Sequence, residues 1–134
     1  MKFVHAVEEQ AKAKWRNDFI SFNAYPSSPN APKLRVRYFI WPDQVRVEIR
    51  EEVRREGLHS FEYTVYGKNY TPEEVENNRE KIFDELKTAL ENEYNKITRK
   101  YGKPSYCVVD SKYILADLDC DKFVKSAVNT LDLL

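Results

Sequence analysis

Glycine is nearly missing from this chain. Only Gly57, Gly67 and Gly102 occur in 134 residues. That excludes the phosphate-cradling loop, the G-x-G-x-x-G turn and the nucleophile elbow, each of which needs closely spaced glycines to turn sharply or approach a ligand. Histidine is as scarce. His5 and His59 lie outside local ligand spacing of each other and of any cysteine, so they read as solvated surface side chains rather than zinc ligands. The two cysteines, Cys107 and Cys120, fall in different predicted elements and also lack metal-ligand spacing. With no secretory leader in view, they are expected as reduced, mostly buried thiols of a reducing compartment. Net charge is missing too. Lysine plus arginine and aspartate plus glutamate each number 22, which argues against a general polyanion binder but leaves room for a local basic patch. No apolar run approaches the ~18 residues of a membrane span, and Met1 to Glu9 turns acidic before a leader's apolar core could form. The expectation is a cytoplasmic protein without a membrane partner.

What the chain does carry is charge and aromatic rings, 33% and 13% of residues. The combination suits an ordered core under a mixed surface rather than disorder, and the length suits a single domain over residues 1–134. The best-marked stretch follows Thr71. Thr71 and Glu74 form a capping-box pair and Pro72 occupies the first helical position. Gly102 and Pro104 supply the stop. Between them Val75, Ile82, Phe83, Leu86, Ala89, Leu90, Tyr94, Ile97 and Tyr101 keep helical spacing. The stripe thins from Glu76 to Lys81, and about thirty residues would run roughly 45 Å. The polar first third should therefore either overhang the sheet or break; the thinned stripe favours the overhang, which is where a partner or a second copy of the chain would be met.

Upstream, Val4, Val7, Ala11, Trp15, Phe19 and Phe22 recur at steps of three or four and predict a helix over residues 4–22. Three prolines between Asn23 and Pro32 make a loop. Leu34 to Trp41 and Val45 to Val53 alternate and predict an antiparallel hairpin about a Pro42-Asp43 turn. Leu34, Val36, Tyr38, Ile40, Val45, Val47 and Ile49 should face the core. A turn near Arg55-Glu56-Gly57 leads to a strand from His59 to Tyr66, ended by Gly67-Lys68-Asn69. In that strand Phe61, Tyr63 and Val65 take one face and Glu62, Thr64 and Tyr66 the other. Ser105 to Val109 and Tyr113 to Ala116 read as two short strands, turned by Asp110-Ser111-Lys112. A short helix from Asp121, capped by Asp119 or Asp121, carries Phe123, Val124, Ala127, Val128, Leu131 and Leu134. The sum is an α+β fold of order α-β-β-β-α-β-(β)-α, an antiparallel sheet packed on one face by the long helix.

That element order is similar to the order in class I type III secretion chaperones. The resemblance is one of topology, without a shared motif, and it implies a dimer that clamps partner segments on its sheet and helices. The opening α-β-β-β-α also resembles a double-stranded-RNA-binding domain. The second helix, however, begins Pro72-Glu73-Glu74-Val75-Glu76, acidic where that family is basic.

Three clusters could carry chemistry. Asp117, Asp119 and Asp121 alternate like the opening of a calcium loop, but Lys122 and Val128 stand where glycine and the bidentate glutamate are required. Helix capping explains the acids better. Asp110 and Lys112 imitate the carboxylate-x-lysine of a metal-dependent nuclease, and the nearest preceding acids lie on the long helix rather than on a neighbouring strand. A turn is the simpler reading. The third cluster is the outward face of the first hairpin, where Arg35, Arg37, Arg46 and Arg50 interleave with Phe39, Trp41 and Glu48, with Tyr66 expected nearby. Arginine among aromatics is the composition of protein interfaces and of single-stranded nucleic-acid platforms. It is also that of a solvated face with cross-strand ion pairs. The expectation is a non-enzymatic binding protein, chaperone-like or regulatory, without cofactor or metal. It would be a homodimer engaging a protein partner through this face, with nucleic acid as the alternative ligand.

Overall fold

The computed structural model describes residues 18–54, 60–112 and 114–133. Within them six strands form one antiparallel sheet: β1 (Asp18–Tyr25), β2 (Lys33–Ile40), β3 (Val45–Arg54), β4 (Ser60–Tyr70), β5 (Tyr106–Ser111) and β6 (Leu115–Leu118). Their spatial order is β4-β3-β2-β1-β5-β6. Helices α1 (Pro72–Asn77) and α2 (Arg79–Tyr101) follow β4, and α3 (Phe123–Asn129) follows β6 between two short 3-10 turns.

The β2–β3 hairpin forms as its alternation predicts. Trp41 N–H donates to the Gln44 carbonyl at 2.9 Å, closing the turn at Pro42-Asp43. Leu34, Val36, Tyr38, Ile40, Val45, Val47 and Ile49 are all buried. Ile20, Phe22 and Ala24 of β1, Cys107 and Val109 of β5 and Leu118 of β6 extend the same apolar face. Val75, Ile82, Leu86, Leu90, Ile97, Phe123, Ala127, Val128 and Leu131 cover it from the helices. Tyr38 is fully buried, so its hydroxyl needs a partner; it donates to the Ala127 carbonyl at 2.5 Å and ties α3 to the sheet centre.

Several sequence expectations are corrected. Residues 18–25 are a strand, not the end of a helix followed by the start of a loop. The Phe19-to-Phe22 step fits a helix, but Ile20, Phe22 and Ala24 alternate with Ser21 and Asn23, and pairing with both β2 and β5 decides for the strand. The earlier part of the predicted helix, and the turn at Arg55-Glu56-Gly57, lie outside the described residues. Strand β4 does not stop at Gly67 but runs to Tyr70. It carries a bulge: Ile49 pairs with Tyr66 while Arg50 pairs with Thr64, leaving Val65 as the extra residue and reversing which face the following side chains take.

The long helix is broken rather than overhanging. Thr71 caps α1 as predicted, its Oγ1 accepting from Glu74 N–H at 3.1 Å. Asn78 then leaves the helical region at φ −124°, ψ 27°. Its N–H closes α1 on the Glu74 carbonyl, and its own carbonyl accepts from Ile82 N–H to open α2. Asn77 and Asn78 are weak helix formers that favour caps. The bend lets Val75 reach full burial, while Arg79 donates to the Leu131 carbonyl at 3.0 Å. The break also shortens the long helix without removing the length mismatch. The 23 residues of α2 span about 35 Å, against about 24 Å between the edge-strand axes of a six-stranded sheet. Gly102, at φ 89°, ends α2 as expected.

Cys107 and Cys120 are joined in a disulfide, with Cα atoms 5.4 Å apart. This corrects the expectation of reduced thiols. Cys107 points to the helix-covered face beside Leu118, and the chain's return through β6 brings Cys120 back to it; spacing in sequence says nothing of that return. Among the described residues no helix is long and apolar enough to cross a membrane.

Candidate binding face

On the second face of the sheet the outward side chains of β1, β2, β3 and β4 form a grid. Asn23 stands beside Arg35, Ser21 beside Arg37 and Phe19 beside Phe39. In the next column Arg35 stands beside Arg50, Arg37 beside Glu48 and Phe39 beside Arg46, with Glu62 of β4 opposite Glu52. The predicted Arg35, Arg37, Phe39, Arg46 and Arg50 thus share one face, and Trp41 adjoins it by stacking on Phe39, with centroids 5.8 Å apart and planes at 11°. Tyr66 does not join them. The bulge turns it onto the helix-covered face opposite Ile49, where it packs against the core and meets the Tyr70 hydroxyl at 3.1 Å.

The arginines are not equivalent. Arg35 is hydrogen-bonded to Glu62 and to Asn23 Oδ1, the latter at 3.0 Å. Arg46 donates to Glu48 Oε2 at 2.9 Å and to Asn69 Oδ1 at 3.2 Å. Arg50 lies 4.0 Å from Glu48 and 3.8 Å from Glu62. Burial disfavours the charge on Glu62, yet the hydrogen bond and charge of Arg35, then the charges of Arg50 and Arg37, outweigh it and hold its carboxyl below the usual range. Gly67 has a role here that sequence reasoning missed. A Cβ at Gly67 would stand 2.6 Å from Arg46 Nη2, so the glycine lets Arg46 lie flat across β4.

Arg37 differs. Its register partner Glu48 is turned to Arg46 and Arg50, and among the described residues no carboxylate lies within ion-pair distance of Arg37. Its Nε, like that of Arg50, is buried without an acceptor. The guanidinium carbon instead lies 5.3 Å from the ring centroids of both Phe19 and Phe39, a cation–π arrangement. Burial, then the like charges of Arg35 and Arg50, lower its pKa from the ordinary arginine value. Phe19 and Phe39 are themselves in contact at 5.2 Å. Sequence reading missed Phe19 because it placed that residue on a helix.

At one end of this face a groove of about 420 Å³ is lined by residues that include Tyr25, Lys33, Glu52, Arg54 and Tyr106. Tyr25 and Tyr106 stack at 4.5 Å and Lys33 sits over the Tyr25 ring at 4.6 Å. The other two clusters resolve into structural roles. Asp119 Oδ1 accepts from Asp121 N–H at 2.9 Å, and Asp121 pairs with Lys103 at 3.2 Å, so these acids cap and anchor the C-terminal turns. Asp110 is in β5 opposite Ser21 and Leu115, and the turn expected at 110–112 closes instead at Ser111–Ile114. Among the described residues no three metal-ligating side chains converge.

No family model matches the chain, and neither a curated protein nor a solved structure is significantly similar to it.

Proposed function

We propose that the chain is a non-enzymatic binding protein whose second sheet face engages a protein partner, centred on Arg37, Phe19, Phe39 and Trp41. The observation that carries this reading is the division among the arginines. Arg35, Arg46 and Arg50 are held by Glu48, Glu52 and Glu62, whereas Arg37 lies among aromatic rings with no carboxylate partner among the described residues. Arginine beside aromatic anchors, rimmed by paired charges, is the composition of a protein hot spot. Single-stranded nucleic acid requires cations free to release phosphate counterions, and internal carboxylates neutralise most of these. The bend at Asn78 seats α1 on the core through Val75, so the reading rests on the sheet face rather than on the helix and takes the partner to be a different protein.

Parallel capture from the chain's native cells with wild-type protein and with Arg37→Ala/Trp41→Ala tests the proposal. A protein retained by the first and lost by the second, with no quenching of tryptophan fluorescence by single-stranded oligonucleotide at low salt, is the expected result. Saturable, steeply salt-dependent quenching would replace protein by nucleic acid as the ligand. Identical capture by both proteins would remove this face from function.

A further inference from the structure

A second cluster lies on the helix-covered side, at the end of the sheet where β3 and β4 pair. Glu51 faces inward there, between Leu34 of β2 and Tyr63 of β4, and is only 2% exposed. A carboxylate so buried needs partners. The Tyr63 hydroxyl donates to its Oε2. From α2, Glu93 and Lys96 reach the same place, and the Lys96 ammonium stands 2.9 Å from Glu93 Oε2 and 3.7 Å from Glu51 Oε1. Two carboxyl groups therefore confront one ammonium. Glu51 Oε1 and Glu93 Oε2 are both buried without an aligned hydrogen-bond donor, and both face the same ammonium. Two ionised carboxylates can do nothing for each other there, since neither has a hydrogen to give.

We propose that Glu51 and Glu93 hold a single proton between them, with Tyr63 and Lys96 as the flanking partners, and that the pair is a pH-operated latch clamping α2 to the β3–β4 end of the sheet. Electrostatics runs the same way. Burial pushes Glu51 above the ordinary glutamate range, the neighbouring Glu93 adds to this, and Tyr63 and Lys96 only partly offset it. Burial opposes the charge on Glu93 as well, but the neighbouring Glu51 and the Lys96 ammonium win and lower it. The Glu51 contribution is complete below the unfolded-state pKa and is lost as pH rises through the raised value. The Glu93 contribution is present above the unfolded-state pKa and is lost as pH falls through the lowered value. The latch is thus closed between the two and opens on both sides. On the alkaline side, two negative charges and one ammonium remain around an almost fully buried carboxylate. Glu52 and Glu62 adjoin Glu51 and Tyr63 in the chain and hold Lys33, Arg35 and Arg50 on the other face, so opening also loosens the carboxylates that neutralise the arginine face. The latch itself does not depend on what that face binds.

Carbon-13 NMR titration of the glutamate side-chain carboxyls tests it, with resonances assigned by Glu51→Gln and Glu93→Gln. The pair is expected to titrate in two separated steps, one above and one below the ordinary value of about 4.3. In Glu93→Gln the second carboxyl is gone and the amide can donate to Glu51 Oε1, so the Glu51 midpoint should fall, with burial alone left to hold it up. The loss of thermal stability on raising pH through the upper step should shrink with it. A Glu51 midpoint unchanged in Glu93→Gln would show burial acting alone and overturn the shared proton, as would a single ordinary step for both carboxyls. Lys96→Met supplies an independent reading. Removing the ammonium must raise the upper midpoint, and an unchanged midpoint counts against the cluster.

Discussion

Breaking the Cys107–Cys120 bridge should cost the fold a calculable amount. The two cysteines are 13 residues apart in sequence, and the loop they close contains β6 and the start of the C-terminal turns. In the chain-entropy description, a loop of that size stabilises the native state by about 3 kcal/mol at 25 °C. The double substitution Cys107→Ala/Cys120→Ala removes the constraint. It also removes a little packing at the 1% exposed Cys107 site, adding under about 1 kcal/mol for a small buried volume change. For a chain of this length 3 kcal/mol corresponds to roughly 10 °C in Tm. Urea unfolding followed by tryptophan fluorescence and by circular dichroism gives the free energy directly. The midpoint should fall for the double variant, and for wild type under reductant, by closely similar amounts. Thiol titration of the denatured, unreduced protein should find no free thiol. Two titratable thiols, or a wild-type curve that reductant leaves unmoved, would refute the bridge and restore the two buried thiols expected from sequence.

Three further outcomes are expected. Val75→Ala should destabilise by about 2 kcal/mol in urea unfolding, because a fully buried side chain in α1 loses its packing; a change within 0.5 kcal/mol would mean that the bend at Asn78 does not seat α1. Thr71→Ala should cost about 1 kcal/mol through the lost cap, a loss Thr71→Ser should largely restore. Arg35→Ala should destabilise by roughly 1 kcal/mol and flatten the acid limb of stability against pH. Glu62 is held ionised below its ordinary range, so its contribution is present above the unfolded-state pKa and lost as pH falls through the lowered value. Arg37→Ala, which breaks no ion pair among the described residues and removes the last-ranked of the charges that lower Glu62, should flatten that limb less than Arg35→Ala.

Alternation and caps carried most of this fold. The β2–β3 hairpin, the Thr71 cap, the Gly102 stop and the core face of β2 and β3 follow from local rules that tertiary contacts did not override. What failed needed partners distant in sequence. The stretch Phe19–Phe22 satisfies both periods, and only pairing with β2 on one side and β5 on the other selects the strand. Tyr66 changed faces because a single extra residue in β4 inverts the alternation behind it, and no residue type announces that bulge. The disulfide depends on where β6 returns. The arginine face was legible as a composition, but not the sorting of its charges, because which guanidinium Glu48 and Glu62 take depends on strand register. Glu51 was invisible for the same reason: its sequence neighbours are charged, and its burial comes from Tyr63 and α2.

The claim that Arg37 and its rings form a protein-binding centre is tested most directly by site-specific photo-crosslinking. A benzoylphenylalanine replacing Trp41, irradiated in an extract of the native cells, should give one dominant protein adduct by mass spectrometry. That adduct should disappear when Arg37→Glu is added, and should be absent when the probe is placed at exposed Glu76. Adducts to nucleic acid, or the same protein adducts from both probe positions, would contradict the account.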